Sequence, residues 1–358
     1  MPLPSLRSAL LATVGCVPCL AQTPSETAPP SKAETVPALL YSTRGDERVH
    51  LLSLPELRPI HRYEAGAGAH ELAISADGRW ALGSAYGGPG AGHQPPDSRV
   101  FVLDLPAGTR HQMVDLGATK RPNDLVFVGG SAVALVTTEV PAQVLRLDAA
   151  RGTFTAWPLA HRTNHMLALA PDAATCFVSH VLPGGLTRLD PATGRELAHA
   201  ALPVGAEGLA AVQIGGKTRV WVGCNRASKL VVVDGDTLAI EHELPCEGFP
   251  LRVKATPDGR HVAVSCPKSG EILVYATATP TIAPRRIDLG TLLDAEVAPT
   301  SLAFSPDGTL LLAVANGSPD RLVALELATG ALRGSVEAAG PIADALTSGL
   351  VQAPPAVR

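Results

Sequence analysis

Residues 299–316 read Pro-Thr-Ser-Leu-Ala-Phe-Ser-Pro-Asp-Gly-Thr-Leu-Leu-Leu-Ala-Val-Ala-Asn: an apolar run, a Ser-Pro-Asp-Gly corner and a second apolar run. The corner chemistry is specific. Pro306 presets φ, Asp307 hydrogen-bonds its own backbone, and Gly308 supplies the positive φ that closes a strand–turn–strand hairpin. Close copies stand at 70–78 (HELAISADG), 249–259 (FPLRVKATPDG) and 164–172 (NHMLALAPD), and weaker ones at 122–130 (PNDLVFVGG) and 206–216 (AEGLAAVQIGG). A unit repeated at this period decides the architecture before any single element does.

Working outward from the hairpin, a third apolar run follows in each repeat: VFVLD at 100–104, VLRLD at 144–148, LTRLD at 186–190, LVVVD at 230–234, ILVY at 272–275 and LVALE at 322–326. Short turns and a fourth strand come next, as at 196–202 and 240–244. Equivalent inner-strand positions are His70, Asn123, His165, Glu207, Leu251, Thr300 and Asp344, spaced 53, 42, 42, 44, 49 and 44 residues apart. The longer gaps hold insertions at 87–98, which carries His93, and at about 280–298. The last inner strand, 344–349, lacks a hairpin partner, whereas 38–43 (ALLYST) is a second strand with no inner strand before it. The two ends complete one blade. The expectation is an all-β, seven-bladed β-propeller of four-stranded antiparallel blades, monomeric, with closure removing the exposed sheet edges.

Charge and composition narrow the function classes. A formal net charge of −4 offers no basic footprint for nucleic acid or anionic lipid. No apolar stretch of about 18 residues occurs in the body of the chain, so no membrane span is expected there. Arg7, the apolar residues 9–14 and 17–20, and small residues before a cut near Ala21 read as a signal peptide over 1–21. A lipid anchor at Cys16, which follows Gly15, is the competing reading. Residues 22–36, rich in Pro, Ser, Thr and Glu, read as a flexible leader, with the propeller over 37–350 and a tail over 351–358. A periplasmic or secreted location follows.

The segment Ser305-Pro306-Asp307-Gly308, then Leu312-Ala313-Val314-Ala315-Asn316, then Leu322-Val323-Ala324-Leu325-Glu326 resembles the YVTN-repeat β-propellers of exported bacterial proteins. The resemblance spans about residues 37–350 and implies the propeller fold. Related propellers include lactonase-type enzymes, quinoprotein amine dehydrogenase heavy chains and the haem d1 domain of nitrite reductase, so it implies no single function. The Gly-His and Trp-Asp signature of WD repeats is absent, and so is the Cys-x-x-Cys-His motif of covalent haem.

Ring closure would gather residues distant in sequence at one channel mouth. The expected ligand-binding set is His70, Glu71, Tyr86, Asn123, Asp124, His165, His180, Glu207, Arg252 and Asp344. Within it, His70, His165, Glu207 and Asp344 have the donor chemistry of a divalent first-row metal. Arg252 and Lys254 share one face of a strand by its period of two, either to attract an anion or to balance Glu71, Asp124 or Glu207. Gly-x-Ser-x-Gly and P-loop motifs are absent, and Ser348 lacks a nucleophile elbow. Three readings follow. The first is a binding or interaction module for a small molecule or partner protein, with no chemistry of its own. The second is a lactonase-like, metal-dependent hydrolase, and the third a redox propeller with a non-covalent cofactor. Of Cys176, Cys224, Cys246 and Cys266, an exported location permits a disulfide from Cys246 to Cys224 or Cys266.

Overall fold

A computed structural model describes residues 34–43, 46–88 and 95–355. The expected signal with Cys16 and Cys19, nearly all of the leader, and His93 lie outside these residues. The corner chemistry of the repeat is realised atom by atom. Gly308 adopts φ 71°. Ser305 Oγ donates to Asp307 Oδ1 (2.5 Å) and accepts from Leu310 N (2.9 Å), while Thr309 N donates to the same Asp307 oxygen (3.0 Å). The same three bonds recur at Ser75–Asp77 and at Thr256–Asp258. In the copy at 164–172 the position of the glycine is taken by Ala173, which sits at φ 56°. A Cβ in that region costs about 1 kcal/mol. Ala173→Gly is therefore expected to raise stability by about 0.5–1 kcal/mol. Urea midpoints at an unchanged m-value test this, and an unchanged or lower midpoint would refute it.

Hairpins of this kind assemble into seven four-stranded sheets. Blade 1 runs from its inner strand Leu72–Ile74 to Thr109–Asp115, blade 2 from Lys120–Phe127 to Thr153–Pro158, and blade 3 from Asn164–Leu169 to Glu196–Ala201. Blade 4 runs from Ala206–Ile214 to Ile240–Pro245, blade 5 from Val253–Ala255 to Arg285–Asp288, and blade 6 from Ala298–Phe304 to Leu332–Glu337. Blade 7 is built from both ends of the chain. Its inner strand Ile342–Val351 pairs antiparallel with Val36–Thr43, in register Leu40 with Thr347 and Tyr41 with Leu346. The two following strands are Arg48–Ser53 and Pro59–Glu64. Consecutive inner strands contact one another around the ring, the last against the first.

The core is divided in the same way. Seven apolar clusters each fill the gap between two neighbouring blades, for example Leu82 and Val102 of blade 1 against Leu125 and Val136 of blade 2. A sheet that is apolar on both faces can only be satisfied between two others, which is what closes the circle. One detail departs from the sequence reading. The stretch 280–298 is not a plain insertion, since it holds the outer strand Arg285–Asp288 and a short helix, Leu289–Leu293, capped by Asp288. The tail is tied to blade 1 through Gln352 N to the Gly78 carbonyl (2.8 Å). Among the described residues no helix is long and apolar enough to cross a membrane. Cys246 has Cys266 as its neighbour, Sγ to Sγ 3.9 Å, and the four described cysteines are buried free thiols.

Candidate functional site

At the mouth end, the inner strands of blades 2, 3 and 4 each break register with their partner strand. The irregularities fall between Pro122 and Leu125, Asn164 and Leu167, and Ala206 and Leu209. The bulged residues are therefore Asn123–Asp124, His165–Met166 and Glu207–Gly208. A bulge frees two consecutive residues from the alternation of a strand and re-aims the first. Hydroxyls on the second strands fix the result. Ser84 Oγ accepts from Glu71 N (3.1 Å) and donates to the Asn123 carbonyl (2.5 Å). Thr137 links Asp124 N (3.1 Å) to the His165 carbonyl (2.6 Å), and Ser179 links Met166 N (3.2 Å) to the Glu207 carbonyl (2.7 Å). Gly208 allows the closest approach of blades 4 and 5, since a Cβ there would lie 2.3 Å from the Leu251 carbonyl oxygen.

The side chains so aimed form a buried charge network. His165 has Glu139 Oε1 3.4 Å from Nδ1 and Glu207 Oε1 3.3 Å from Nε2. Glu139 also accepts from Tyr86 Oη (2.7 Å) and Asn123 Nδ2 (3.2 Å), while Glu207 accepts from Asn225 Nδ2. Arg252, only 2% exposed, places NH2 2.8 Å from Glu71 Oε1 and NH1 3.5 Å from Glu207 Oε1. Burial alone would lower the His165 pKa, but the Glu207 charge and hydrogen bonds to both carboxylates outweigh it and raise it to about 10. Burial alone would raise Glu207, yet the His165 and Arg252 charges bring it down to about 2. Glu139 is likewise held below its usual range, burial being outweighed by His165 and Tyr86. The floor thus carries an imidazolium between two carboxylates.

Above this floor opens a cavity of about 950 Å³. Its apolar lining is Val140, Pro141, Leu159, Val181, Leu182 and Leu251, from strand ends and loops of blades 2, 3 and 5. Val140 and Leu182 are 52% and 42% exposed, high values for large apolar side chains. His70 and Tyr86 also line it, their rings 4.6 Å apart, and Arg121 lies over the same tyrosine at 4.6 Å. Arg162 and Arg226 complete the rim.

The residues expected from sequence divide accordingly. His70, Tyr86, His165, Glu207 and Arg252 line the cavity, and Asn123 and Glu71 support it from beneath. Asp124 faces backbone instead, accepting from Leu125 N (2.9 Å) and Leu167 N (3.0 Å). His180 is buried in blade 3, with Nδ1 3.1 Å from the Arg162 carbonyl and Nε2 2.8 Å from Thr187 Oγ1. Asp344 lies on the inner strand of blade 7, and its side chain is outside the described residues. Of the expected metal set, His165 has both ring nitrogens engaged by carboxylates. Among the described residues no group of three or more His, Cys, Asp or Glu is placed to hold a metal ion. Sequence reasoning missed Arg162 and all of the apolar wall but Leu251, because residues 140–142, 158–160 and 181–182 lie at strand ends and in the loops beyond them, where no periodicity marks them.

No protein-family model and no curated protein matches the chain. Solved structures do. A functionally unknown protein from Desulfotomaculum acetoxidans DSM 771 aligns with a TM-score of 0.68 at 13% identity, over 88% of this chain and 98% of its own. The dihydro-heme d1 dehydrogenase NirN, in complex with DHE, aligns with a TM-score of 0.60 at 14% identity, over 89% of this chain and 76% of its own. Likeness at such identities is one of fold.

A second cleft, of about 1050 Å³, opens on the opposite face among the Ser-Pro-Asp-Gly-type turns of blades 5 and 6. Its charges are exposed pairs such as Arg333 with Glu326 and Arg260 with Asp258. Such pairs contribute little and pre-organise nothing. The mouth, with buried groups converging beneath an apolar wall, has the character of a ligand site.

Proposed function

We propose that this chain is an exported propeller of the YVTN-repeat kind that binds a small molecule in its mouth cavity. The observation that carries the reading is the pairing of an exposed apolar wall with a floor whose charged groups hold one another, His165 between Glu139 and Glu207 and Arg252 against Glu71. Such a floor keeps its shape without ligand, so binding loses little to reorganisation. The wall supplies the driving force, at about 25 cal/mol for each Å² of apolar surface covered. The neighbour in complex with DHE shares the scaffold at 14% identity and lends the ligand no identity. Export rests on the character of residues 1–21.

The test is titration with a neutral apolar fluorophore, N-phenyl-1-naphthylamine. Saturable binding of one probe per chain is expected. Ala160→Trp, at an exposed position of the cavity wall, is expected to weaken it at least tenfold while leaving the thermal midpoint in place. Unsaturable binding, or a tight complex with the tryptophan variant, would sink the proposal.

A further inference from the structure

The charges around the cavity fall into two groups. Those of the floor are compensated: Glu139 is held by Tyr86, Asn123 and His165, and Glu207 by His165, Asn225 and Arg252. Glu71 lies against Arg252, and Asp124 is turned to backbone amides. The rim differs. Arg162 and Arg226 are exposed, line the cavity, and form no ion pair among the described residues. Arg226 is presented by the short 3-10 turn Asn225–Ala227. The carbonyl of Arg162 is pinned by His180 Nδ1 at 3.1 Å, and that of the adjoining Thr163 by Val181 N at 3.0 Å. Both backbones are thus fixed, and both arginines line the same cavity as Val140 and Leu182.

We infer that the mouth selects an amphipathic organic anion, its apolar body on the wall and its carboxylate, sulfonate or phosphate at Arg162 and Arg226. This rests on the small-molecule reading above. Planar guanidiniums match such anions through paired N–H donors. The floor carboxylates do not oppose the ligand, since each already faces a cation or amide donors within the network. The two rim arginines bring positive charge to a chain that is net negative as a whole, so the preference is local and built into the loops.

The experiment compares two probes of similar aromatic body. One is the anion 1-anilinonaphthalene-8-sulfonate; the other is neutral N-phenyl-1-naphthylamine. The double variant Arg162→Ala/Arg226→Ala is expected to weaken the sulfonate at least tenfold and leave the neutral probe within twofold. Retained binding of the neutral probe also reports that the variant is folded. Arg195→Ala, on the opposite face in a turn of blade 3, is expected to change neither. If both probes bind equally and ignore the double variant, the anion preference is wrong while the cavity reading stands. If neither probe binds the unaltered chain, both readings fall together.

Discussion

Arg252→Ala is expected to lower stability by about 3–5 kcal/mol, the largest effect of any single truncation at the mouth. The guanidinium is 2% exposed and lies between Glu71 and Glu207, themselves buried or nearly so. Removing it takes a buried counter-charge from two carboxylates in low dielectric, and water cannot enter freely to replace it. The intact pair contributes less than that, because both ions were desolvated to form it. The double variant Glu71→Gln/Arg252→Met separates the two ideas. Neutral groups of similar size at both positions are expected to recover more than half of the loss. Urea unfolding of the wild type, Glu71→Gln, Arg252→Met and the double variant completes the cycle. A cost for Arg252→Ala below about 1 kcal/mol would mean that the carboxylates find other partners, and the description of the floor as a closed network would have to be abandoned.

Much of this arrangement was legible in the sequence, for physical reasons that can be named. The Pro-Asp-Gly corners are read locally, because Gly308 and Gly78 supply a positive φ that the turn demands. Once the hairpins are placed, their period brings His70, Asn123, His165 and Glu207 to one face, and the unpaired strands at the two chain ends must share a sheet. What the alternation of a strand could not show is the bulge. Period-two logic sends Asn123 and Asp124 to opposite faces, and the break in register decides how they part: Asn123 into the network, Asp124 onto backbone amides. Side-chain pairing was also out of reach. His180 sits at an equivalent second-strand end to Tyr86, yet Thr187 and the Arg162 carbonyl draw it into blade 3. Most of the apolar wall was hidden because its residues lie at strand ends and in loops, where composition carries no periodicity. The helix Leu289–Leu293 escaped for a related reason, as five residues are too few to show a helical repeat.

The His165 network makes stability depend on pH with a definite sign. In the folded chain His165 titrates at about 10 against an ordinary 6.5. Its contribution is whole below about 6.5, shrinks as pH rises through the interval, and is gone above about 10. Glu207 behaves oppositely. Its value of about 2 against an ordinary 4.5 makes its contribution whole above about 4.5 and lost as pH falls toward 2. The network is therefore strongest between about 4.5 and 6.5, and its alkaline arm is on the order of a few kcal/mol. His165→Gln removes the titrating group while keeping donor capacity at the site. Between roughly pH 6.5 and 9.5 the wild type is expected to lose its lead over this variant, the gap in unfolding free energy closing as pH rises. Other groups titrating in the same range cancel in that difference. A protonated ring has a carboxylate acceptor at each nitrogen, Glu139 Oε1 at 3.4 Å from Nδ1 and Glu207 Oε1 at 3.3 Å from Nε2. Nitrogen-15 shifts of the His165 ring at roughly pH 8 should then show both nitrogens protonated. A ring with one bare nitrogen, or a wild-type-to-variant gap that stays constant across the range, would show that the floor holds a neutral histidine and that its two carboxylates are balanced by Arg252 and the amides alone.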